Sequence, residues 1–126
     1  MLLLVIETLE RRARSIAPYY AIRNSLMIAR IWHGWTKPKD AKAYEKLLRD
    51  EIFPSIAARK IKGYRGAELF IREDGGEVEF VTLLRFDSMD PITKFAGPEA
   101  GKPVIFPKAE ALITRMEQAR HYHEAI

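Results

Sequence analysis

The sequence predicts an α+β domain of βαββαβ type, an antiparallel sheet with helices on one face, running over residues 26–126. Three observations carry that prediction. Asp74-Gly75-Gly76 is a tight-turn signal between two strand-like runs, because glycine supplies positive φ without steric cost. Apolar residues recur at helical spacing from Tyr44 to Ala57, between the first two strand-like segments. The chain then closes on a stretch that alternates like a strand, Gln118 to Ala125.

The first strand is Leu26-Met-Ile-Ala-Arg-Ile-Trp-His-Gly-Trp35, rich in β-branched and aromatic residues and punctuated by Gly34. Apolar groups on both of its faces predict a central strand covered on each side. A helix follows, opened by Thr36-Lys-Pro-Lys-Asp40 with Asp40 or Thr36 as its cap. Its stripe is Tyr44, Leu47, Leu48, Ile52, Ile56 and Ala57, and Pro54 is expected to bend or break it locally. The second strand spans about Tyr64 to Arg72 and the third Glu77 to Phe86. Asp87-Ser88 caps a short helix through Met89 to Phe95. Gly97 to Pro103 is a flexible flap. Pro107 begins a last helix whose inward face is Ala111, Leu112 and Met116, and strand four ends the chain.

Right-handed crossovers then give the strand order four, one, three, two. The face away from the helices is expected to carry Ile31, Ala67, Leu69, Val81 and Leu83. Left open, that face would be a large apolar patch, so a second subunit is its simplest cover and the N-terminal helix the competing one.

Composition narrows the function classes. Of 126 residues, 48% are hydrophobic and 30% charged, the balance of a globular domain that builds a core. No cysteine is present, which removes disulfides, thiolate metal sites and a cysteine nucleophile, and fits a cytoplasmic, reducing compartment. The net charge of +4 is spread through the chain, with only Arg11, Arg12 and Arg14 clustered. No nucleic-acid partner is expected from that pattern. Residues 1–25 form an extension: Leu2, Ile6, Leu9, Ala13 and Ile16 fall at helical spacing, so it is an accessory helix, or else a mis-assigned start ahead of Met27. Its apolar run is too short to span a membrane, and no membrane partner is expected.

Candidate chemistry centres on His121, Arg30 and Arg85, with Trp32, Trp35, Tyr64, Phe80, Phe106 and Tyr122 as an aromatic lining for a flat substrate. Histidine has the pKa of a base near neutrality, and a neighbouring guanidinium stabilises the anion it forms. The arginines have a structural alternative, ion pairs with Glu68, Glu79 or Asp87. A three-histidine metal site is not expected. His121 pairs near Arg30, while His33 pairs near Gln118, a few residues away along the strands at about 3.3 Å each.

The segments Ile28-Ala-Arg-Ile-Trp-His-Gly-Trp35, Gly63-Tyr-Arg-Gly-Ala-Glu68, Glu79-Phe-Val-Thr-Leu-Leu-Arg-Phe86, Phe95-Ala-Gly97 and His121-Tyr122 together resemble the antibiotic biosynthesis monooxygenase superfamily, over about Met27 to Glu124. The resemblance implies a ferredoxin-like fold paired as a dimeric α+β barrel. It also implies oxygenation of quinols or polyphenols without metal, flavin or other cofactor, or, in another branch, haem degradation. The haem branch is expected to use an Asn on strand one, where this chain has Arg30, Trp32 and His33. The polyketide branch is expected to use Asn, Trp and Tyr, and the single Asn here is Asn24. Three readings stand: a cofactor-independent monooxygenase of an aromatic small molecule, a non-catalytic dimer binding an apolar ligand or partner protein, and a haem-binding protein.

Overall fold

The computed structural model describes residues 27–125. The extension at residues 1–25 and its expected helix lie outside them. β1 is Ile28–Thr36. The helical segment after it consists of α1 (Pro38–Leu47), a π-helical turn Leu48–Ile52 and α2 (Phe53–Ala58). The hairpin strands are β2 (Tyr64–Asp74) and β3 (Glu77–Phe86), followed by α3 (Met89–Ala96), α4 (Pro107–Glu110), β4 (Ile113–Met116) and β5 (Arg120–His123).

The π-turn sits immediately before Pro54. Proline cannot donate to the carbonyl four residues back and its ring crowds that group, so the backbone widens there. The expected caps are not used. Lys37 is the N-cap of α1 and Ser88 that of α3, and neither makes a side-chain cap bond. Thr36 instead donates its hydroxyl to the Lys37 carbonyl, and Asp87 binds Arg65.

All strand pairs are antiparallel, in the order β2-β3-β1-β4, with β5 also beside β1. This is the predicted order, with β5 as the expected fourth strand and β4 an added strand from the segment expected to be helical. The expected last helix stops at Glu110, and the β-branched pair Ile113-Thr114 enters a strand instead. Leu112 and Met116 are therefore not helical, and Met116 is exposed. Between β4 and β5 the Glu117 amide donates to the His33 carbonyl and the Ala119 amide to Gly101, which anchors the break.

Ile28, Trp32, Phe80, Leu84 and Phe86 face the helices and join Tyr44, Leu48, Ile52, Ile56, Ile92 and Phe95 in the core. The opposite face carries Ile31, Val81 and Leu83, as expected from alternation across the β1–β3 ladder. Ala67 and Leu69 do not join them. A bulge between Tyr64 and Gly66, with Gly66 at φ 128°, sets Ala67 opposite Leu84 and Leu69 opposite Thr82. Both residues pack into the helix-side core. No described helix is long and apolar enough to cross a membrane.

Candidate functional site

The site forms where the helix-facing side of β1 meets the π-turn and the segment between α3 and α4. Arg30, Trp32, Tyr44, Leu48, Ile52, Phe95, Val104, Ile105 and Phe106 are among the residues lining a cavity of about 50 Å³. The π-turn supplies Leu48 and Ile52 to this wall. Pro54 is the sequence signal for that widening, although spacing alone places both leucine and isoleucine only in a helix stripe.

Arg30 is the chemical centre. It is 3% exposed, and its partners among the described residues are all neutral. Nη1 donates to the Ala100 carbonyl and lies 3.1 Å from His121 Nε2, and Nη2 donates to the Lys102 carbonyl at 2.9 Å. The guanidinium also lies 5.5 Å from the centre of the Phe95 ring, a cation–π contact. Burial lowers its pKa from 12.5 to about 10, which still leaves it charged at neutral pH.

The contact with His121 fixes a tautomer. A guanidinium has only donors, so Nε2 must accept and the ring proton resides on Nδ1. Burial first, and the Arg30 charge second, hold the His121 pKa below its usual value. The pairing Arg30↔His121 places the two opposite one another on β1 and β5. His121 stands behind Arg30 and meets the cavity through it.

Phe106 and Trp32 line the cavity. Trp32 is 9% exposed and its indole Nε1 has no hydrogen-bond partner. Phe80 is fully buried against Tyr44, ring centres 4.8 Å apart, and Tyr64 packs against Phe86 at 5.5 Å. Neither reaches the cavity wall, so both serve the core. Burial raises the hydroxyl pKa of both Tyr44 and Tyr64, so both are neutral donors at physiological pH.

Arg85, Trp35 and Tyr122 lie on the other face of the sheet, one strand residue out of phase with Arg30 and Trp32. Arg85 is ion-paired to Glu68 at 3.3 Å and Glu124 at 3.4 Å. Trp35 donates its indole N–H to Asp74 at 2.9 Å and lies under the Arg115 guanidinium at 3.8 Å. Tyr122 is 50% exposed.

That face also holds a network that sequence reading does not find. His33 Nδ1 donates to Glu79 Oε2 at 2.6 Å, and Arg72 Nε donates to Glu79 Oε1 at 2.6 Å. Glu79 is buried. The bond from His33 and the charge and bond of Arg72 hold its carboxyl below the usual range, against the opposing effect of burial. Register is the signal: Arg72, Glu79 and Trp35 pair across three strands, but only once the hairpin alignment is fixed.

No protein-family model matches the chain, and no curated protein matches it. Solved structures do. A Bacillus cereus protein provisionally named antibiotic biosynthesis monooxygenase aligns over 79% of this chain and 93% of its own, at 13% identity and a TM-score of 0.56. A conserved protein from Methanosarcina mazei aligns over 83% and 99%, at 14% identity and a TM-score of 0.58. A Mycobacterium tuberculosis protein aligns over 79% and 96%, at 23% identity and a TM-score of 0.52. The chain thus has the ferredoxin-like α+β fold of these solved structures.

Proposed function

We propose that the protein oxygenates a small hydroxy-arene in the cavity between sheet and helices, using molecular oxygen and no cofactor. The observation that supports this reading is Arg30, a buried cation at the cavity wall whose described partners are two carbonyls and a neutral imidazole. A buried charge without a counter-ion is costly, and a phenolate formed beside it would offset that cost. A phenolate also passes an electron to oxygen far more readily than its phenol. The overall step balances on oxygen alone. A phenol with a free para C–H reacts with O₂ to give the quinone and water. One oxygen atom becomes the new carbonyl, and the other leaves with the hydroxyl and ring hydrogens.

His121 is the proton acceptor in this reading. When a substrate oxygen takes the Nη1–H of Arg30, Nε2 is released and its lone pair accepts the hydroxyl proton. Because its pKa is held low, His121 is neutral and ready to accept at neutral pH. The test is oxygen uptake with a panel of small phenols and quinols. Uptake with quinone formation that drops at least about 100-fold in Arg30→Gln, the scale of a lost charge-stabilising donor, supports the reading. Uptake no faster than the protein-free blank, or undiminished in that variant, rejects it.

Ligand binding without turnover is the second reading, favoured by the cavity volume of about 50 Å³. Drug-sized ligands occupy roughly 300–1,000 Å³, so a larger aromatic enters only if the Gly97 to Pro103 flap moves. The same volume weighs against haem, and adding the protein to hemin should then leave the Soret band of free hemin unshifted. The reading includes a homodimer, with a second copy covering Ile31, Val81 and Leu83.

A further inference from the structure

We infer that the cavity is built to hold a small carboxylate, with its anionic oxygens shared between Arg30 and the indole N–H of Trp32. This deepens the proposed function by naming the substrate class, a hydroxy-arene whose carboxylate is ortho to its hydroxyl so that both groups reach Arg30, and it depends on that reading only for the place of the site.

Two independent features of the cavity wall point to such a ligand. The first is unspent donor capacity on Arg30. A guanidinium has five N–H groups. Ala100 O, Lys102 O and His121 Nε2 take three of them, which leaves two and a charge that no described carboxylate neutralises. The second is Trp32. Its ring is 9% exposed, it lines the same cavity, and its Nε1 has no partner. A buried N–H without an acceptor is uncommon in folded proteins, and its usual explanation is a missing partner.

The ligand's charge follows from the residues around it. Among the described residues Arg30 is the one charged side chain lining the cavity, and the rest of the described wall is apolar apart from Trp32 Nε1, Tyr44 and Thr82. A single unneutralised cation in an apolar wall matches a monoanion. A dianion such as phosphate would bring a second charge with nothing to meet it. A neutral amide would satisfy Trp32 and leave the Arg30 charge uncompensated. A carboxylate offers two oxygens with several lone pairs, enough for the spare guanidinium donors and the indole together. Size agrees: about 50 Å³ is several times the 10–15 Å³ that one water needs in this measure. That holds a carboxyl group and a short apolar stem against Leu48, Ile52 and Val104, and a full ring enters as the Gly97 to Pro103 flap moves.

The experiment is calorimetric titration without oxygen, using benzoate and 2-hydroxybenzoate, whose hydroxyl adjoins its carboxylate and whose para C–H is free, against the corresponding neutral amides. The indole N–H resonances are followed in parallel. Each acid should bind at least about tenfold more tightly than its amide, the scale of a charge-assisted hydrogen bond. Arg30→Gln should abolish that difference. The indole resonance that is absent from Trp32→Phe should be the one that shifts. Equal affinity for acid and amide, no binding of either, or a shift confined to the other indole would overturn the inference. The acid–amide comparison needs only the unmodified protein, so a variant that fails to fold does not block the test. Acid binding without oxygen uptake rejects the oxygenase reading alone, and uptake without acid preference rejects this inference alone.

Discussion

The indole of Trp32 lies over Gly34, two residues along the same strand face. A Cβ built on Gly34 would overlap the ring, at 2.7 Å from Cζ3 and 2.8 Å from Cζ2 and closer still to Cη2. Gly34 therefore positions a cavity residue by lacking a side chain. Gly34→Ala should lower stability by about 1–3 kcal/mol, the usual cost of overpacking, and move Trp32. A double-mutant cycle checks this: in a Trp32→Leu background the same substitution should cost much less, and an unchanged cost would sever the two residues.

Stability should fall with acid in two separable stages. The His121 pKa is depressed by burial and by Arg30, so the unfolded chain binds its proton more readily. Stability contributed this way is full above the ordinary value near 6.5 and falls as pH drops below it. Glu79 is also depressed, by His33 and Arg72. Its contribution is full above the ordinary 4.5 and falls as pH drops through that value toward the folded one. Denaturant melts across pH should show both stages. His121→Gln, which keeps an acceptor for Arg30, should remove the upper one and spare the lower; a variant with both stages intact would mean that another group titrates.

The fold was legible because its signals are local. Asp74-Gly75-Gly76 specifies the hairpin, with Gly75 at φ 65°, and the stripe from Tyr44 to Ile56 packs as periodicity requires. What was not legible depends on register and depth. A bulge at Gly66 turns Ala67 and Leu69 to the helix side, and the glycine within the strand is its one residue-type signal, which does not fix the register shift. Pairing with Thr36 draws Ile113 into a strand, against the helix that Pro107 begins. Aromatic residues carry no label for core or pocket: Phe80 and Phe106 read alike, yet the first is wholly buried and the second lines the cavity. The arginines divide by strand parity, which sends Arg30 to the cavity and Arg85 to Glu68 and Glu124.

That division is testable by paired substitutions. Arg85 is partly exposed and its two ion pairs lie at the sheet surface, where such pairs contribute about 0–1 kcal/mol. Arg85→Gln should therefore shift stability by no more than about that amount. Arg30→Leu removes a buried charge but strands the Ala100 and Lys102 carbonyls and His121 Nε2. These acceptors are part-buried, and each one left without a donor or water costs up to roughly 1–3 kcal/mol, so this variant should be the less stable of the two. Urea melts of both variants decide the matter. Similar losses would mean that Arg30 is not the strut tying the flap to the sheet.

The last prediction concerns the sheet face opposite the cavity. Ile31, Val81 and Leu83 sit on adjacent strands there, and Phe70 beside Val81 is 54% exposed. The surrounding polar groups are already satisfied within the chain: Glu79 by His33 and Arg72, Trp35 by Asp74. An apolar centre with an internally paired rim is the pattern of a self-complementary interface, in which each copy offers the same patch. Light scattering at micromolar concentration should give twice the chain mass. Leu83→Arg should give the single-chain mass, because two copies would bring like charges together in a desolvated centre. Its circular dichroism should stay unchanged, since Leu83 faces away from the helix-side core. A wild-type protein that runs as a monomer would show that no second copy covers this face, and the Leu83→Arg substitution would then leave the mass where it was.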